Sequence, residues 1–288
     1  MSKHELSLVE VTHYTDPEVL AIVKDFHVRG NFASLPEFAE RTFVSAVPLA
    51  HLEKFENKEV LFRPGFSSVI NISSSHNFSR ERLPSGINFC DKNKLSIRTI
   101  EKLLVNAFSS PDPGSVRRPY PSGGALYPIE VFLCRLSENT ENWQAGTNVY
   151  HYLPLSQALE PVATCNTQSL YRSLSGGDSE RLGKPHFALV YCIIFEKALF
   201  KYRYRGYRMA LMETGSMYQN AVLVADQIGL KNRVWAGYTD SYVAKTMNLD
   251  QRTVAPLIVQ FFGDVNDDKG LRLGNGKYCT LRLFFNQA

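Results

Sequence analysis

The stretch Arg117-Arg118-Pro119-Tyr120-Pro121-Ser122-Gly123-Gly124-Ala125-Leu126-Tyr127-Pro128 constrains this chain more than any other. Pro119 and Pro121 forbid a helix through it, because proline lacks the amide hydrogen a helix interior needs and its ring crowds the preceding turn. Gly123 and Gly124 remove the Cβ atoms that would hold another group away from the backbone. Ser122 adds a hydroxyl beside amides that no helix occupies. The apolar run that follows, Tyr127 to Leu136, alternates well enough to be a strand. A loop entering a strand in this way can cradle a phosphate or the edge of a flat ring. It can equally be an ordinary turn rich in proline and glycine.

With 288 residues, 44% of them hydrophobic, the chain can bury a substantial core. Its 32 Lys and Arg against 28 Asp and Glu leave a charge of only +4, too little for nucleic-acid binding by bulk charge. No apolar run reaches the ~20 residues of a membrane span, and Met1-Ser2-Lys3-His4-Glu5 opens polar sequence, so a soluble cytoplasmic protein with no membrane partner is expected. The five cysteines (Cys90, Cys134, Cys165, Cys192, Cys279) are far apart and form no C-x-x-C pair. The seven histidines show no metal-ligand spacing, and no metal is expected.

Asp16-Pro17-Glu18 predicts a helix start, with Asp as cap and Pro at the first helical position, running to about His27. Ser34 to Phe43 suggests a second helix and Val60 to Ile72 an extended segment. Ser96 caps a helix with Ile97, Ile100, Leu103, Leu104 and Phe108 on one face. Strands are expected over Tyr127 to Leu136, Asn148 to Leu153 and His186 to Phe195, with a long helix over Arg208 to Leu230. Leu155 to Lys184 has weak periodicity and reads as a surface excursion. Asn275-Gly276 signals a C-terminal hairpin. The order and types suggest an α+β fold with a mainly antiparallel sheet flanked by helices. The expected division is an N-terminal appendage, 1–75, that packs on the rest or docks a partner, and a domain over 76–288 ending in the hairpin extension.

Several of these motifs together carry a resemblance. SGGALYP followed by IEVFL resembles the flavin-binding loop of the nitroreductase-like flavoproteins, in the branch that oxidises azoline rings in peptides. Glu213-Thr214-Gly215-Ser216-Met217-Tyr218-Gln219-Asn220 matches that branch's central helix, although the family commonly has histidine where Ser216 stands. Trp235-Ala236-Gly237-Tyr238 and the strand Pro256 to Gly263 follow in the family's order. Lys201-Tyr202 sits where azoline dehydrogenases carry a Lys-Tyr pair.

The resemblance implies a nitroreductase-like fold with FMN at a homodimer interface. It implies phosphate contacts from Arg80 or Arg82, a ring edge lined by Pro121, Ser122, Gly123, Gly124 and Leu126 of a loop that reaches the other subunit's site, and further cofactor contacts from Asn220, Ala236 and Gly237. Lys201 and Tyr202 would form the catalytic base as thiazolines and oxazolines of a precursor peptide become thiazoles and oxazoles. The implied partners are a cyclodehydratase and a peptide-docking subunit of a synthetase complex that makes a microcin-type antibiotic. Two other readings remain: a generic FMN reductase of nitro compounds or quinones using NAD(P)H, and an arginine-aromatic patch for nucleic acid built from Lys201-Tyr202-Arg203-Tyr204-Arg205-Gly206-Tyr207-Arg208. Consecutive side chains diverge on a strand or helix, so Lys201 and Tyr202 can share a site only if the backbone bends, and Gly206 is a candidate for that bend.

Overall fold

Alternate residues of the strand Phe187–Ile194 feed two separate cores. Phe187, Leu189, Tyr191 and Ile193 face one, and Ala188, Val190 and Cys192 the other. Side chains alternate across a sheet, so a strand this apolar is stable only with both faces covered. The computed structural model describes residues 15–30, 83–112, 115–141, 143, 146–177 and 179–266.

Among them the order is α1 (Pro17–Arg29), β1 (Phe89–Cys90), β2 (Leu95–Ser96), α2 (Ile97–Phe108), a 3-10 turn (Gly123–Ala125), β3 (Ile129–Arg135), β4 (Thr140–Glu141), β5 (Val149–Leu153) and β6 (Ala158–Ala163). There follow α3 (Thr167–Ser175), α4 (Ser179–Leu182), β7 (Phe187–Ile194), α5 (Phe195–Tyr202), α6 (Tyr204–Gln227), β8 (Lys231–Trp235), α7 (Asp240–Thr246) and β9 (Val254–Val265). The main sheet has the order β1-β9-β7-β3-β5-β6, with β8 also on β9, and all its pairings are antiparallel. The short β2–β4 pair is parallel. The architecture is therefore α+β, an antiparallel sheet flanked by helices.

The first core lies between the sheet and α1, α2, α5 and α6, and includes Phe108, Leu133, Tyr191, Phe195 and Met217. The second lies under α3, α4 and α7, around Leu170, Leu182, Val243 and Phe261. Each such large apolar side chain stabilises the fold by about 1.5–3 kcal/mol when fully buried. The helix starts follow their caps: Asp16 Oδ1 accepts from Glu18 N at 2.9 Å, and Ser96 Oγ from Arg98 N at 3.3 Å.

Three expectations need correction. Leu155 to Lys184 is not an irregular excursion: it contains β6, α3 and α4, and buries Leu170, Leu174 and Leu182. The helix expected from Arg208 begins at Tyr204, and a separate helix, α5, precedes it. Gly206 does not make the bend, as its surroundings below show. The helix expected at Ser34 to Phe43, the extended segment Val60 to Ile72, the Asn275-Gly276 hairpin, and Arg80 and Arg82 all lie outside the described residues.

Candidate active site

The 117–128 loop folds around its own polar groups. Ser122 Oγ accepts from Tyr127 N at 2.9 Å, and Ser122 O accepts from Ala125 N at 3.1 Å. The Arg118 guanidinium lies 4.2 Å from the Tyr127 ring centroid, and its Nη1 donates to the Tyr120 hydroxyl at 3.1 Å. That cation–π stack fixes a positive charge against the loop.

The two glycines admit protein groups. A Cβ on Gly123 would overlap the Met209 methyl from α6. A Cβ on Gly124, whose φ is 64°, would stand 2.5 Å from the Tyr202 hydroxyl and 3.1 Å from Lys201 Nζ. Lys201 Nζ is also 5.3 Å from the centre of the Tyr202 ring. Both side chains of the expected pair thus converge on Gly124 of the same chain.

No bend separates the two, which are the last residues of α5; the backbone turns only after both, at Arg203, whose φ of 50° and ψ of −135° end α5 and start α6. Gly206 serves a different purpose: a Cβ on it would overlap the Ala198 carbonyl oxygen, so glycine lets α6 press against α5. Tyr207, in the run that also reads as a nucleic-acid patch, is buried and hydrogen-bonded to His27 at 3.0 Å, which removes it as a base-stacking surface.

Beneath the loop lies a set of buried charges. Glu213 on α6 is 4% exposed. Burial pushes its carboxyl up to about 7, against the opposing pull of the Ser122 hydroxyl, Arg118 and Lys197. One of its oxygens, Oε1, has no hydrogen-bond partner. Glu130 on β3 behaves oppositely. Burial would raise it, but Lys197 Nζ at 2.9 Å and His151 Nε2 at 3.1 Å outweigh that and hold its carboxyl at about 2. His151 is shared between Glu130 and Glu160, which raise its imidazole despite burial. Lys197 stands one turn before Lys201 on α5, so Glu130 anchors the helix that carries the pair.

The remaining expected residues are dispersed. Pro121 is exposed and Leu126 half-buried in the same loop. Asn220 Nδ2 donates to Ala107 O at 2.8 Å, joining α6 to the end of α2. Ala236 is exposed after β8, and Gly237 packs against Gly176 and the Trp235 ring, whose Nε1 is buried without a partner. Neither Glu130 nor Glu213 is among the expected site residues. A lone carboxylate on an otherwise apolar helical face was the available signal. Among the described residues, no group of three or more His, Cys, Asp or Glu is placed to hold a metal ion.

The antiparallel sheet flanked by helices defines an α+β class, and residues 88–263 match the nitroreductase family, to which this chain belongs. It is 99% identical over 272 residues to the microcin B17-processing protein McbC of Escherichia coli, covering 94% of this chain and all of that protein. It is 29% identical over 190 residues to the trifolitoxin-processing protein TfxB of Rhizobium leguminosarum bv. trifolii, covering 62% of this chain and 48% of that one. A solved structure labelled a nitroreductase, from Ralstonia eutropha JMP134, superposes with a TM-score of 0.52 at 21% identity, over 63% of this chain and 79% of that one. A second, from Anabaena variabilis ATCC 29413, gives 0.50 at 22% identity, over 59% and 35%. At these identities the structural matches speak for the fold.

The residues present suit a flat anionic cofactor. Pro121, Gly124 and Ala125 are exposed on a loop flanked by Arg118 and Lys201, and Trp235 holds an unpartnered donor beside the Ala236-Gly237 turn.

Proposed function

We propose that this chain is an FMN-dependent dehydrogenase that oxidises thiazolines and oxazolines of a precursor peptide to thiazoles and oxazoles, in the making of a microcin-type antibiotic. The observation that carries this reading is the convergence of Lys201 and Tyr202 on Gly124, which a generic nitro or quinone reductase has no need of. The names of the two peptide-processing relatives support it.

Ser122, Gly123, Gly124, Pro121 and Leu126 would hold the cofactor's ring edge, with Ala236, Gly237, Asn220 and one of Arg80 and Arg82 as further contacts. When bound, FMN supplies the two-electron acceptor that aromatisation requires. Lys201 and Tyr202 take the proton from the former Cα of the azoline, while the hydrogen on the former Cβ departs with its electron pair and a ring double bond forms. A terminal acceptor such as oxygen would take the two electrons on. Arg118, held against Tyr127, would supply a positive charge beside the loop, and Met209 packs against Gly123. The unit is a cytoplasmic homodimer that works with a cyclodehydratase and a peptide-docking subunit. No described helix is long and apolar enough to cross a membrane.

The test is to purify the protein, record its flavin spectrum, and compare wild type with Lys201→Ala and Tyr202→Phe. Each variant should keep bound FMN and lose ~10²–10⁴ in the rate of the two-dalton mass loss per ring, the usual cost of a missing general base. Colourless protein that takes up no added FMN sinks the cofactor. Normal oxidation by both flavin-loaded variants sinks the Lys-Tyr base.

A further inference from the structure

α1 grips both ends of the helix that carries the Lys-Tyr pair. At the start of α5, Thr15 Oγ1 donates to Glu196 O at 3.2 Å, and Lys24 Nζ pairs with Glu196 Oε1 at 3.4 Å. At its end, Arg203 Nη1 pairs with Asp16 Oδ2 at 2.7 Å. Asp16 does two things at once, because its other oxygen caps α1 through Glu18 N and Val19 N.

Arg203 itself occupies a backbone conformation that suits glycine and that a side chain adopts only under constraint. Its amide donates to Leu199 O at 2.7 Å and its carbonyl accepts from Gly206 N at 2.9 Å, so the chain reverses within one residue. That reversal sits immediately after Tyr202. Lys201 and Tyr202 are the last two residues of α5, so a relaxed arginine would carry the chain straight on and α6, whose Met209 lies against Gly123, would not return past the pair to the loop.

From this geometry we infer that Asp16 and Arg203 are a positioning pair: α1, through Asp16, holds the strained turn at Arg203 so that Lys201 and Tyr202 meet at Gly124. The inference rests on the Lys-Tyr reading above and gives the segment around α1 a part in the reaction. Neither residue touches the reacting atoms; both act through α5.

Asp16→Ser keeps a helix cap and removes the ion pair, since serine caps as well as aspartate does but is too short to reach Arg203. Arg203→Met removes the pair from the other side and leaves the strained backbone without its charged partner. Both variants, tested in full-length FMN-loaded protein with a thiazoline-bearing precursor peptide, should retain flavin and melting temperature. Their kcat should fall about tenfold with KM unchanged, as expected when catalytic groups are misplaced by a fraction of an ångström. The Asp16→Ser/Arg203→Met double variant should be no worse than either single, and Arg203→Lys should keep most of the rate.

Full turnover by both single variants, in an assay where Lys201→Ala and Tyr202→Phe are inactive, overturns the positioning pair and leaves the base intact. Full turnover by Lys201→Ala and Tyr202→Phe overturns the base and the positioning pair with it. Loss of flavin or fold in Asp16→Ser, or additive losses in the double variant, assigns the pair to stability and likewise overturns the inference.

Discussion

Gly124 and Tyr202 stand so close that the smallest side chain on the glycine would meet the tyrosine hydroxyl at 2.5 Å. Gly124→Ala therefore has two costs. The left-handed φ of 64° costs a side chain about 1–2 kcal/mol, and the added methyl displaces the far end of Tyr202, a flexible group that can yield. The expected result is a folded protein with slightly lower thermal stability, normal flavin absorbance and severely reduced azole formation. Unchanged turnover would show that Tyr202 does not act at Gly124.

Glu213 makes stability depend on pH with a definite sign. Its carboxyl titrates near 7 in the folded chain against 4.5 for an ordinary one, so the folded state holds the proton more tightly. The stability this contributes is fully present below about 4.5 and is lost as pH rises through about 7. At 1.36 kcal/mol per pH unit the loss is on the order of 3 kcal/mol. Glu213→Gln cannot ionise. It should flatten the pH dependence of denaturant midpoints across that window and be more stable than wild type at pH 8. An unchanged slope would place the titration elsewhere.

Gly206→Ala sets helix propensity against packing. Alanine favours a helix by roughly 1 kcal/mol over glycine. Its methyl, however, would overlap the Ala198 carbonyl oxygen, a backbone atom with little room to move. Overpacking of this kind typically costs about 1–3 kcal/mol, so the variant should melt at lower temperature despite its better propensity. A higher melting temperature would mean that α5 and α6 are not pressed together at this point.

The loop and the Lys-Tyr pair come from one chain, which makes a prediction for mixed dimers. Gly123→Trp and Lys201→Ala damage the same site, so combining the two variants should restore no azole formation even after complete subunit exchange. Gly123→Trp combined with Ala236→Trp should restore part of it, if the dimer shares its cofactor site between the loop of one subunit and the Ala236-Gly237 turn of the other. Equal behaviour of the two mixtures would argue against a shared site.

Much of this molecule is legible in the sequence because its signals are local. The Asp16-Pro17 and Ser96 caps, the apolar runs that become β3, β5 and β7, and the glycine-proline punctuation of the 117–128 loop each depend on a few neighbouring residues, and each element lies within a few residues of its expected place. α3 and β6 were not legible: α3, nine residues of mixed polarity, owes its form to burial of Leu170 and Leu174, and β6, an edge strand with no buried residue, to its pairing with β5.

The family resemblance carried by the sequence named Lys201, Tyr202 and the glycines as belonging to one piece of chemistry, but not how they meet. That was decided by tertiary structure. Arg203 takes up its left-handed turn because Asp16, 187 positions earlier, and the packing of α6 on α5 constrain it, and no local preference of arginine favours it. Glu213 and Glu130 are identical in ordinary acidity to any glutamate in the chain. They part to about 7 and about 2 only because one is buried with an oxygen left unpaired and the other lies half-buried between Lys197 and His151. Desolvation and charge pairing act through space, so they exist only once the chain has folded.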